Sequence, residues 1–160
     1  MKQEILIQPK ELPYIWPEAA EIINKGLSHS NGEVDADSFF APIYSGKHFL
    51  WVGHDTDAEV AEIEAVLIGE VIRYPLKTSL FIHVWATKSG HEYEPWMNLW
   101  DSIINFANVN GCDFVEAKVR KGLAKKLKWT DKHSLVTLEL WEKNYGRRRK
   151  TTTTKSRKSI

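Results

Sequence analysis

The sequence has a single cysteine and no long apolar run. Cys112 alone excludes an internal disulfide, which fits a reducing compartment. The longest apolar run, at residues 65–68, is far too short to cross a bilayer, and residues 1–4 contain no apolar signal region. We therefore expect a soluble protein that is neither secreted nor inserted in a membrane, located in a cytoplasm or inside a virus particle.

Metal-ligating motifs are also missing. The six histidines are scattered along the chain without ligand spacing. The sequence therefore predicts no metal site.

One compact domain accounts for most of the chain. The whole chain has 160 residues, 42% of them apolar, and its seven tryptophans add to the apolar surface available for one substantial core. The net charge of +1 hides an asymmetry, because residues 146–160 contain seven Lys/Arg and no acid. Residues 1–145 keep 15 basic and 21 acidic residues, a net charge of −6. We expect a domain over 1–145 and a disordered basic tail over 146–160.

The tail is a candidate contact surface for nucleic acid or for an acidic protein. It has no aromatic residue for base stacking, so we expect binding to be non-specific and salt-sensitive. The acidic body of another copy is an alternative partner. The candidate contacts are Arg147, Arg148, Arg149, Lys150, Lys155, Arg157 and Lys158.

Hydrophobic periodicity predicts the element order. Residues 5–7 form a short strand, an amphipathic helix follows with Trp16, Ile23 and Leu27 on one face, and a shorter helix begins at Asp35 or Asp37. The period then changes to two, which predicts an antiparallel meander of strands at 48–53, 64–74 and 80–86. A helix at about 95–110, a strand at 114–119, a short basic helix at 122–128 and a strand at 135–141 complete an α/β (α+β) fold.

This order resembles the GCN5-related N-acetyltransferase fold over residues 4–142, a mixed and mainly antiparallel sheet flanked by helices. The best local matches are residues 106–112, which lead into a strand, and residues 122–129, before the last strand. More narrowly, the chain is similar to small acetyltransferase-like proteins of tailed bacteriophages and prophages. That similarity rests on residues 50–52, 70–75, the Trp96 helix, 111–112, 115–116 and 120–122.

The resemblance implies a cofactor loop with a basic residue and spaced glycines before the long helix, where backbone N–H groups hold the pyrophosphate of acyl-CoA. The basic position falls on His91, and the three glycine positions fall on Glu92, Glu94 and Trp96. Each carboxylate beside a phosphate costs on the order of 1–4 kcal/mol. Glu92 and Glu94 instead suit the dipole of the helix that begins near Pro95. We therefore expect no cofactor here.

The catalytic positions that the resemblance implies are also changed. The tyrosine that serves many of these enzymes as general acid falls on Ala124, which has no hydroxyl. Glu70, on a strand that often supplies the general base, is the one weak catalytic candidate. A solvated strand-face carboxylate is the alternative interpretation.

The sequence thus favours a non-catalytic, acetyltransferase-like phage protein, associated with the virion or its assembly. Its basic tail contacts DNA or other phage structural proteins, in the virion or the host cytoplasm. The alternative is an acyl-CoA-dependent N-acetyltransferase with a divergent phosphate loop, which would use acetyl-CoA and Glu70. A DNA-binding regulator is a third possibility, disfavoured by the aromatic-free tail. The oligomeric state stays open.

Overall fold

The computed structural model describes residues 1–28, 30, 32–90, 94–97 (for Glu94 the backbone alone), 100–119, 125 and 127–132. The chain divides into two compact units, Met1–Arg120 and Lys121–Ile160. In the second unit Lys125 and Leu127 are helical, within the predicted short helix. The predicted strand at 135–141 and the basic tail lie outside the described residues, so the predicted boundary after residue 145 stays a prediction.

The first unit follows the predicted element order. In the segment predicted as one helix at about 95–110, the structure describes two helices, and residues 98 and 99 between them lie outside the described part. Within that part, no helix combines the length and apolar content of a membrane span. The elements are β1 (Lys2–Leu6), a 3-10 turn (Pro9–Glu11), α1 (Leu12–Leu27), α2 (Asp37–Tyr44), β2 (His48–Asp55), β3 (Ala65–Arg73), β4 (Thr78–Thr87), α3 (Glu94–Met97), α4 (Trp100–Val109) and β5 (Phe114–Ala117).

The five described strands form one mixed sheet in the order β1-β2-β3-β4-β5. All neighbours are antiparallel except β4 and β5, which are parallel. This confirms the predicted meander and the predicted mainly antiparallel α+β fold. The pairing of β4 with β5 covers residues 79–82 and 114–117 only. Among the described residues, the rest of β4, from Val84, pairs with β3 alone.

Successive side chains of β2 and β3 point to opposite faces of the sheet. Both sets include buried apolar residues, so each face has its own apolar cluster. On one face Leu50, Val66 and Ile68 pack with Ala19 and Ile23 of α1. The opposite face packs against α4, through a cluster that contains Trp51, Leu67, Leu80, Ile82, Ile103 and Ala107.

Local hydrogen bonds explain how α2 begins and ends. The sequence allowed Asp35 or Asp37 as the cap, and the structure selects Asp35, whose Oδ1 accepts the Ser38 N–H at 3.0 Å. After the helix, Gly46 has φ 79° and its N–H donates to the Ile43 carbonyl at 3.0 Å. Between these two ends, Phe39 and Ile43 are the buried residues of α2, so the helix packs toward the sheet through the face that carries them.

Candidate functional site

Three polar side chains from adjacent strands meet on the sheet face that faces α2. His48 opens β2 and lies directly opposite Glu70 of β3, and Glu70 lies opposite Phe81 of β4. His83 follows two residues later on β4. The Phe39 ring of α2 has its centroid 6.0 Å from that of His48 and 5.8 Å from that of His83. We call His48, Glu70 and His83 the His-Glu-His cluster.

A β-bulge determines the position of His83. Ile68 pairs with Val84, but the next residue, Gly69, pairs with Ile82, so His83 is the extra residue of β4. Such bulges redirect side chains and are frequent beside active sites. Here the bulge leaves His83 beside Glu70, one strand away.

Glu70 is the centre of the cluster. Its Oε2 lies 3.1 Å from Nε2 of His48 and 2.8 Å from Nε2 of His83. Lys47 Nζ lies 3.9 Å from Oε1. The side chains of His48, Glu70 and His83 are 9%, 18% and 25% exposed. Glu70 is therefore a hydrogen-bonded, mostly enclosed carboxylate and not a solvated one.

The charges in the cluster follow from these contacts. Desolvation tends to raise the pKa of Glu70, but the His83 hydrogen bond and the nearby His48, His83 and Lys47 together lower it below its usual value. Glu70 is therefore ionised at neutral pH and accepts hydrogen bonds from both Nε2 groups.

His48 is the most enclosed member, and desolvation, followed by the charge of His83, lowers its pKa. It is neutral, with its proton on Nε2. Its Nδ1 is buried and has no hydrogen-bond partner in the described part of the chain. A second proton at Nδ1 would be a buried unsatisfied donor, which agrees with the neutral state.

Sequence reasoning found this cluster only in part. It named Glu70 and assigned no function to His48 or His83. The histidines lack ligand spacing in the sequence, yet the fold brings the ligand atoms of all three residues within 4.8 Å of one another. The available signal was polar residues at inward positions of otherwise apolar strands.

The segment on which the resemblance places a cofactor loop is described only at its end. His91 and Glu92 lie outside the described residues, and the backbone of Glu94 begins α3. Trp96 is 3% exposed. A Cβ added to Gly53 would lie 2.4 Å from Cζ3 of Trp96, so the indole fills the space above that glycine. Trp96 is thus a core residue packed on β2.

Other residues whose side chains could act in catalysis have structural contacts or a protonated thiol. The Tyr74 hydroxyl donates to Glu116 Oε1 at 2.9 Å, and the exposed Tyr44 stacks on Phe40. Burial raises the pKa of the Cys112 thiol, which keeps it protonated. Ala124 and the seven basic residues of the tail lie outside the described part.

The chain matches no family model and no curated protein sequence. Solved structures are similar to it. An aminoglycoside acetyltransferase from an uncultured soil metagenomic sample, in complex with sisomicin, has a TM-score of 0.64 at 14% identity, covering 86% of this chain and 94% of that one. A predicted acetyltransferase with acetyl-CoA from Clostridium acetobutylicum has a TM-score of 0.63 at 14% identity, covering 89% and 98%.

Glucosamine-6-phosphate N-acetyltransferase from Arabidopsis thaliana has a TM-score of 0.61 at 12% identity, covering 88% of this chain and 99% of that one. At such identities the likeness establishes the fold alone. The predicted fold is confirmed: this chain has the fold of the GCN5-related N-acetyltransferases.

Proposed function

We propose that this protein has the acetyltransferase fold without acyl-CoA chemistry of the usual kind. In this proposal it is a bacteriophage protein, associated with the virion or its assembly, in the virion or the host cytoplasm. Its basic tail contacts DNA or an acidic surface of another phage structural protein. The observation that most supports the loss of catalysis is in the sequence, where Glu92, Glu94 and Trp96 stand at the positions of the glycines that the resemblance implies.

These residues do not fit the pyrophosphate of acyl-CoA. Glu92 and Glu94 would place negative charge beside phosphates, at a cost on the order of 1–4 kcal/mol for each pair. Trp96 is fixed against Gly53 and contributes its ring to the core instead of leaving room for close backbone approach. The residues at these positions therefore do not support acyl transfer from acyl-CoA bound in the usual way.

The charge distribution supports the tail as the contact surface. Seven cations and no acid lie in residues 146–160, whereas residues 1–145 have a net charge of −6. Such a segment can neutralise phosphates and release counterions without reading base sequence. The phage assignment rests on a resemblance to small phage proteins in the segments at 50–52, 70–75, the Trp96 helix, 111–112, 115–116 and 120–122.

A specific observation favours a second candidate, an N-acetyltransferase with a divergent phosphate loop. Glu70 is held ionised on a strand that often supplies the general base in enzymes of this fold, with His83 beside it. The segment of β4 from Val84, paired with β3 alone in the described structure, offers a strand edge to an extended amide ligand. The neighbours' names suggest an amino sugar as the acceptor.

Isothermal titration with acetyl-CoA at moderate salt separates the two candidates. We expect no saturable heat and no thermal stabilisation, either for the full chain or for residues 1–145. Micromolar binding that survives removal of residues 146–160 would contradict the proposal and favour the enzyme.

A paired variant tests the physical reason. Replacing Glu92 and Glu94 together by glycine removes both charges and both side chains, and we expect measurable acetyl-CoA affinity to appear. Glu59→Gly, at an exposed position, is the matched control and should bind no better than wild type. If the double variant gains nothing, the two carboxylates are not the obstacle to cofactor binding.

A further inference from the structure

We propose that the His-Glu-His cluster is a binding site for a divalent transition metal, with Zn²⁺ the best-fitting ion. One ligand atom from each of His48, Glu70 and His83 lies within 4.8 Å of the other two. Two imidazole nitrogens and one carboxylate oxygen are a donor set that zinc sites use.

The spacing of these atoms is close to what a tetrahedral ion needs. Ligands at about 2.0–2.1 Å from zinc lie about 3.3 Å from one another in a tetrahedron. The Glu70 Oε2 is 3.1 Å from His48 Nε2 and 2.8 Å from His83 Nε2. The two separations that involve Glu70 need to grow by about 0.2–0.5 Å. The ligand nitrogens of the two histidines, which lie within 4.8 Å of each other, need to come to about 3.3 Å, and side-chain rotation supplies both adjustments.

The backbone holds the three ligands in place without the metal. His48 and Glu70 are opposite each other in the β2–β3 register, and the bulge positions His83 on β4. Phe39 and Phe81 flank the imidazoles, with ring centroids 5.8 Å and 4.8 Å from that of His83. A preorganised donor set of this kind loses little side-chain entropy when an ion binds.

The charges favour binding, with one exception. A metal takes Glu70 as a carboxylate, which supplies negative charge, and takes each histidine as a neutral imidazole. Lys47, 3.9 Å from Glu70 Oε1, is the unfavourable charge. Its side chain is 66% exposed and can turn into solvent, a loss of at most about 1 kcal/mol for such a pair.

The surroundings of His48 limit the affinity. When Nε2 binds a metal, the proton must move to Nδ1, which is buried and has no acceptor among the described residues. Zinc-bound histidines usually donate this N–H, and the loss of such a partner weakens metal binding about 10–100-fold. We therefore expect micromolar rather than nanomolar affinity.

The site has three protein ligands, so a fourth position is left for water or another small ligand. The partial exposure of Glu70 and His83 gives an ion access from solvent. This inference goes beyond the proposed function, because zinc binding requires neither DNA nor acetyl-CoA.

Titration of the metal-free full-length protein with ZnCl₂, without DNA or acetyl-CoA, tests the site. We expect one equivalent to bind with micromolar affinity, to raise the melting temperature and to be removed by EDTA. His83→Asn and Glu70→Gln should each weaken binding at least about tenfold. His54→Asn, on the same strand as His48 but outside the cluster, is the matched control and should bind like wild type.

Zinc X-ray absorption on the wild-type protein gives a readout that does not depend on variants folding. We expect two imidazoles and oxygen at about 2.0–2.1 Å. No zinc binding, sulfur ligation by Cys112, or a loss caused by His54→Asn and not by His83→Asn would each overturn the proposal. MgCl₂, whose ion prefers oxygen ligands, should produce no binding heat at the same concentrations.

Discussion

Glu4 shows how one residue links burial to pH. It lies on β1, half-buried, and its Oε2 accepts a hydrogen bond from Ser102 Oγ at 3.1 Å. Desolvation raises the pKa of its carboxyl from 4.5 to about 7, although the Ser102 bond acts in the opposite direction. Between pH 4.5 and 7 the folded protein therefore keeps a proton that the unfolded chain has released. The contribution of the protonated Glu4 to the free energy of unfolding is therefore fully present below pH 4.5 and is lost as the pH rises through 7.

Glu4→Gln should remove this dependence. The variant stays neutral at all pH values, so its free energy of unfolding relative to wild type should rise between pH 4.5 and 8, by on the order of 3 kcal/mol. Urea denaturation of both proteins across this range measures the difference. Glu59→Gln, at an exposed site, should track wild type. Parallel curves for wild type and Glu4→Gln would show that Glu4 is ionised in the folded state.

At the scale of elements, α1 supplies side-chain acceptors to the segments that pack beside it. Oδ1 of Asn24 accepts the N–H of Ala36, just before α2, at 2.8 Å, and Ala36 is fully buried. Oε1 of Glu18 accepts the N–H of Ile63, which precedes β3, at 2.6 Å. These bonds satisfy backbone donors that no helix or strand serves, and so they fix α1 against two connecting segments.

Asn24→Ala should lower the free energy of unfolding by about 1–3 kcal/mol, because the buried Ala36 N–H is left without its acceptor. Urea denaturation measures the loss. Asn24→Asp keeps an oxygen in the same place and should recover most of the stability. Asn108→Ala, on the exposed face of α4, is the matched control and should change little. Equal losses for Asn24→Ala and Asn24→Asp would assign the effect to something other than the hydrogen bond.

At the scale of the whole molecule, the charge asymmetry between residues 1–145 and the tail predicts salt-dependent binding. If the seven tail cations neutralise phosphates, the logarithm of the affinity for short duplex DNA should fall with the logarithm of salt concentration, with a slope as steep as about −6. Fluorescence anisotropy at 50 to 200 mM salt, roughly the range in which such contacts weaken, measures this slope.

Removing residues 146–160 should abolish DNA binding. A full-length variant with glutamine at the seven basic positions is the matched control, because it keeps the length of the tail and removes its charge. It should behave like the truncation. Binding that survives both changes would place the DNA contact in residues 1–145 and contradict the proposed role of the tail.

The fold was largely predictable from the sequence, whereas the candidate site was not. The apolar residues of α1, β2 and β4 recur with the period of a helix or of a strand, and this recurrence can be read from residues close together in the sequence. Glu70 could be named because the resemblance places it on a strand that often supplies the general base in enzymes of this fold. His48 could not, since it lies 22 residues before Glu70 and nothing near it in the sequence distinguishes it from a histidine at the start of any strand.

The sequence by itself determined the order of helices and strands, the mainly antiparallel sheet, the carboxylates at the expected phosphate loop and the charge asymmetry of the tail. These depend on residue type and local spacing. Only the tertiary structure decided that His48, Glu70 and His83 share one site, because their contact requires the register of three strands and the extra residue at the bulge. It also decided the protonation of Glu4, because desolvation depends on what packs around the carboxyl and not on its neighbours in the chain.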